Sequence, residues 1–134
     1  MRYGIISGAA AIGTVVSAAL GGWDHGLQTL IMFMAVDYVS GLVVAGIFKQ
    51  SVKSECGGLS SKCGFTGLMR KGMQLAIVLV VHRLDLMIDV DFVRTAVIIA
   101  LVTNELISII ENAGLMGVPV PEKLRKTVDV LSAK

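Results

Sequence analysis

Charge is scarce in this sequence. Only 16% of its 134 residues are Asp, Glu, Lys or Arg, against about a quarter in soluble domains, which argues against a packed water-soluble globule. Cysteine is scarcer still, and two cysteines cannot build a disulfide scaffold. Aromatic residues make up 5% of the chain and histidine occurs twice. Neither His25 nor His82 falls in a Ser-His-Asp or His-Glu-x-x-His spacing, so no enzyme is visible. Cys56 and Cys63 have no second pair and no nearby histidine, which leaves no metal site; on a cytosolic side they are expected as reduced thiols. No glycine-rich nucleotide loop occurs, and the glycines at 57, 58, 64 and 67 read as a flexible connector. No cofactor is implied. What is present is apolar: 54% of the residues are hydrophobic and 15 are glycine. That content excludes a disordered chain and matches packed membrane helices in a single domain.

The apolar residues are gathered into runs. Between Tyr3 and Trp23 no other ionisable residue occurs, long enough for a helix to cross a hydrocarbon core of about 30 Å. Leu27 to Phe48 is interrupted only by Asp37. A central Asp costs about 2.5–3.5 kcal/mol, and the Leu, Ile, Phe and Val residues of this run return roughly 3–7 kcal/mol. The span survives, with Asp37 expected to hide from lipid. A third run ends in His82, Arg83 and Asp85, and a fourth carries Arg94, Asn104 and Glu105. The expected fold is therefore all-α and membrane-integral. Four spans are expected at about 4–22, 27–48, 72–88 and 92–110, with a basic loop at 49–71 and a tail at 111–134. An N-terminal signal peptide ending near Ser17-Ala18-Ala19 is the competing reading of the first run. Its length and the interfacial turn at Trp23-Asp24 favour a span.

Ten of the 12 basic residues lie at the N-terminus, in the 49–71 loop or in the tail. Counting Lys and Arg in short loops then puts both termini and that loop in the cytoplasm, which requires an even number of spans. These charges suit an anionic membrane surface and are too few to suggest nucleic-acid binding. After Pro119 and Pro121, Leu124, Val128 and Leu131 share a helical face, as in a short amphipathic helix on the inner leaflet or on a partner tail.

Small residues recur every fourth position in the first run: Ala9, Gly13, Ser17 and Gly21, with Gly4 and Gly8 as a further pair. Such spacing lets backbones approach closely, and it serves equally for packing on the second span or for self-association. Gln74, His82 and Asp85 lie near one side of the third run. Asn104, Ser108 and Glu111 form an i, i+4, i+7 stripe on the fourth, with Glu105 and Asn112 at its margin. Polar groups within membrane helices face a bundle interior or an aqueous path. Taken singly, each is read first as a hydrogen bond to a neighbouring helix. Asp37 or Glu105 could serve as a proton or cation site, or the set could hold protomers together and later line water.

The order of motifs resembles a known family. Gly21-Gly22-Trp23-Asp24, Asp37-Tyr38 with Gly41, Gly64-Phe65 with Gly67 and Arg70-Lys71 are followed by Asn104-Glu105-Leu106-Ile107-Ser108-Ile109-Ile110-Glu111-Asn112. Gly117, Pro119, Pro121, Lys123 and Leu124 close the series. Together they are similar to the phage lysis and toxin-secretion holins of Gram-positive phages and clostridial toxin loci, over nearly the whole chain. The resemblance implies a homo-oligomer in the bacterial cytoplasmic membrane, forming lesions that release an endolysin or a toxin. Members are described with about three spans, against four expected here. The Cys56/Cys63 pair and His82-Arg83 stand outside the family pattern. Two other readings stay open, a small ion-coupled multidrug-type transporter and an antiholin-like regulator. Such transporters use a carboxylate in the first span, which this chain lacks.

Overall fold

A computed structural model describes residues 1–49 and 60–132. It contains five α-helices and, among the described residues, no strand. They are α1 (Arg2–Ala19), α2 (His25–Val43, continued by a π-helical turn Val44–Phe48), α3 (Ser61–Ile88), α4 (Val93–Leu115) and α5 (Glu122–Ser132). The chain is an all-α membrane protein: α1, α2 with its π turn, and α4 are each long and apolar enough to cross a bilayer. The 28-residue α3 is long enough too, but Lys71, Arg83 and Asp85 punctuate its apolar stretch and it does not join that set.

The helix boundaries differ from the sequence expectation in ways that matter. α3 starts at Ser61 rather than at residue 72, because Ser60 caps it by accepting a hydrogen bond from the Cys63 amide. Lys62, Gly64, Gly67, Arg70 and Lys71 are therefore helical, which corrects the reading of 64 and 67 as connector glycines. Gly64 and Gly67 instead seat the ring of Tyr38, whose hydroxyl donates to the Gly64 carbonyl at 3.4 Å. Cys56 and the glycines at 57 and 58 lie outside the described residues. α4 runs past 110 to Leu115, and α1 stops at Ala19. Gly21 and Gly22 then adopt φ of +97° and +103°, so Gly21 is no longer part of a helical face.

α2 packs chiefly on α4, and α3 packs against α4 and more lightly on α2. The apolar core is small: Leu20, Leu27, Leu30, Met34, Val78 and Ile98, flanked by Ile31, Leu75, Leu101 and Val102. In lipid such a core gains packing rather than transfer energy, because the alternative neighbour is equally apolar. Polar contacts consequently carry more of the specificity. α5 lies against α4 with Val128 buried, while Leu124 is half exposed; the side chain of Leu131 lies outside the described part. α1 is the exception, for none of its residues is buried. Its last turn only borders a shallow cleft with Leu75, Ala76 and Leu79 of α3.

Candidate functional site: two buried charge clusters

The first cluster sits midway along the bundle. Asp37, in the middle of α2, and Glu105, in the middle of α4, point toward each other's helix and are 6% and 2% exposed. Between them lies the Lys71 ammonium, 2.7 Å from Asp37 Oδ2 and 2.7 Å from Glu105 Oε2. The remaining carboxylate oxygens are also engaged. Gln74 Nε2 donates to Glu105 Oε1 at 3.0 Å, and Asn112 Nδ2 donates to Asp37 Oδ1 at 3.2 Å and to Ser40 Oγ at 2.9 Å. Two carboxyl groups thus share one cation, and α2, α3 and α4 are tied together at one level. Gln74 Oε1 is the one buried side-chain nitrogen or oxygen among the described residues with no hydrogen-bond partner.

Lys71 reaches this position because it sits one turn before Gln74 and two before Val78, on the face α3 turns inward. Counting it as a loop charge concealed this. Its sequence signal was a basic residue at the start of an apolar run, at a depth where two other runs each carry a carboxyl.

The second cluster is at the end of the bundle that carries the α1–α2 and α3–α4 turns. Arg94 is 8% exposed. Its Nε donates to the Leu20 carbonyl at 2.6 Å, its Nη1 to Asp24 Oδ2 at 2.6 Å, and its Nη2 to the Gly22 carbonyl at 3.3 Å. Asp24 also accepts from the Leu27 amide at 2.9 Å, capping α2. The Arg94 donors hold the Asp24 carboxyl below its ordinary range, outweighing the opposing effect of burial.

Asp85 does the same service for α4, whose own N-cap, Phe92, offers no side-chain bond. Its carboxylate accepts from the amides of Val93 at 3.2 Å and Arg94 at 2.8 Å, placing negative charge at a helix N-terminus. Gly21 is needed here. A Cβ at that position would run into the Arg94 side chain and lie 2.9 Å from His82 Nδ1.

The structure therefore sorts the candidate residues into four groups. Asp37, Glu105 and Asn112 meet in the mid-depth cluster, with Gly41 nearby; a Cβ there would touch the Asn112 amide at 3.8 Å. Asp85 and Gly21 belong to the turn end. Gly4, Gly8 and Gly13 have nothing within 4 Å of a Cβ, and Ala9 is exposed. Ser17 bonds only within its own helix, to the Thr14 carbonyl at 3.1 Å. Asn104 and Glu111 face outward, and Ser108 is partly covered. Sequence reasoning missed Lys71, Arg94 and Asp24 as bundle-forming groups.

Comparison with known proteins places this geometry. The chain matches the bacteriophage holin family over residues 14–133. It belongs to the bacteriophage holin family. Among its relatives is an uncharacterized 14.9 kDa protein of Clostridium perfringens, 34% identical over all of this chain and 94% of that protein. An uncharacterized protein of Listeria monocytogenes is 36% identical over all of this chain and 88% of the relative. A probable holin of Bacillus phage phi105 is 26% identical over 80% of this chain and 74% of its own. No solved structure matches the chain. Membership of the holin family agrees with the membrane character of the helices and with the motif resemblance read from the sequence.

Proposed function

We propose that this holin-family protein is itself a hole-forming effector. Protomers accumulate in the bacterial cytoplasmic membrane with both termini inside, oligomerise, and open lesions through which an endolysin or a toxin leaves the cell. The observation that carries this reading is the division of labour between helices. The buried charges of the bundle, Asp37, Lys71, Glu105 and Arg94, are paired within one protomer, while α1 crosses with no buried residue and its glycines bare. A helix of that kind is spare for the fold and available to lipid or to other copies. In this arrangement α3 is the fourth span, and its Lys71 and Asp85 are tolerable because groups of α2 and α4 compensate them. On assembly, the Asp37–Lys71–Glu105 cluster is a source of polar surface for a water-lined opening. The basic residues of α5, Lys123, Arg125 and Lys126, face the anionic inner leaflet.

The test is inducible expression in a bacterium, following membrane potential and release of a co-expressed folded cytosolic protein. Abrupt depolarisation with release after a silent delay is the expected outcome. Slow growth inhibition without release, or drug resistance in its place, would return the protein to a regulator or a transporter. Asp37→Asn and Glu105→Gln should alter the timing or extent of release; unchanged lysis in both would remove the carboxylates from the mechanism.

A further inference from the structure

α4 carries a second polar face that the bundle does not use. Glu105 and Asn112 point inward and are fully engaged. Asn104, next to Glu105, is rotated about 100° away, is exposed, and its side chain makes no hydrogen bond within the described residues. It lies at the middle of the 23-residue helix, the level at which a spanning helix meets hydrocarbon on its outer side. Around it the surface is small. Ala96 and Ala100 precede it at four-residue intervals, both exposed, and Ser108 follows at the same interval.

Two independent demands converge here. An amide facing lipid has neither water nor protein to satisfy its donors and acceptor. The alanine face permits another backbone to come close. We infer that the Ala96–Ala100–Asn104–Ser108 face of α4 is the seam on which a second copy of this chain docks. An Asn side chain both donates and accepts, so Asn104 is self-complementary: across a two-fold axis each amide can donate to the other, which a lipid tail cannot do. Glu111 lies in the last turns of α4, where water can solvate it at the edge of the seam. The pairing is isologous and closes on itself as a dimer, so growth into a larger lesion needs a second surface. The uncovered α1 supplies that surface. This inference rests on the effector reading for its biological meaning, but not for its test.

The experiment uses the full chain with Cys56→Ser and Cys63→Ser, in phosphatidylcholine/phosphatidylglycerol vesicles. Oxidation of an added Ala100→Cys should trap a dimer, whereas Met32→Cys, on an exposed face of α2, should remain monomeric. Equal trapping at both positions, or none at Ala100, overturns the seam. Energy transfer between labelled copies should show Asn104→Leu associating about 3- to 30-fold more weakly, as expected for loss of interhelical hydrogen bonds in lipid. Asn104→Gln should restore most of that loss. Because the Asn104 side chain is exposed and makes no hydrogen bond to the described residues, its replacement leaves the bundle intact. Association unchanged in Asn104→Leu overturns the proposal. Release of protein from cells with no Ala100 trapping would sink the seam and leave the effector reading standing; trapping without release would do the reverse.

Discussion

α1 and α4 are both apolar helices long enough to cross a membrane, yet one is left bare and the other is held on several sides. The difference lies in what they carry. α4 brings Glu105 and Asn112, which find partners on other helices, and Arg94, which finds them in the α1–α2 turn. α1 brings no charge beyond Arg2, and the hydroxyls of Thr14 and Ser17 bond to its own backbone. Within lipid, apolar side chains gain little by exchanging lipid for protein, so a helix is docked mainly by polar contacts and close backbone packing. α1 is tied to the bundle just past its C-terminal end, where Arg94 grips the carbonyl of the capping residue Leu20.

Removing the cation of the mid-depth cluster should erase most of that contrast. Lys71→Met would leave Asp37 and Glu105 buried without compensation, and breaking a buried pair in this way costs about 3–5 kcal/mol. Denaturation in micelles should register the loss, and adding Asp37→Asn should recover part of it. A wild-type denaturation curve for Lys71→Met would show that the cluster does not hold the bundle.

At the turn end the expected cost is smaller. Gly21→Ala must accommodate both a left-handed backbone and the displaced Arg94, about 1–3 kcal/mol. Proteolysis of the α1–α2 turn should rise accordingly; unaltered protection would mean Arg94 moves aside freely.

The comparison sharpens with Gly13→Leu on α1. Protomer stability should stay within about 0.5 kcal/mol, since nothing lies near Gly13, while crosslinked ladders of higher oligomers and the onset of lysis should be delayed. Normal ladders would take α1 out of the assembly surface.

The smallest effect is set by pH. The Asp24 carboxyl is held below its unfolded value by Arg94, so its contribution is present above that unfolded value, about 3.9, and lost as pH falls through the lower folded one. The half-exposed side chain keeps this contribution small. Acidification below about pH 4 should therefore loosen the turn in the native protein. Asp24→Asn should remove that dependence, as followed by Trp23 fluorescence.

Much of this protein was legible in its residues. Apolar run length alone marked α1, α2 and α4 as helices able to cross a membrane, and the motif series pointed to the holin family, because both depend on local composition and order. The energetic argument that Asp37 must hide from lipid needed no structure either. Which group hides it was a tertiary matter. Positive charges were counted by loop, but Lys71 lies on a helix that begins at Ser61, and only the packing of α3 brings its ammonium between α2 and α4. Likewise, Asn104 and Glu105 are neighbours in sequence, and spacing placed both near one stripe. A rotation of about 100° per residue, fixed by where α2 and α3 happen to pack, sends Glu105 into the protomer and leaves Asn104 facing out.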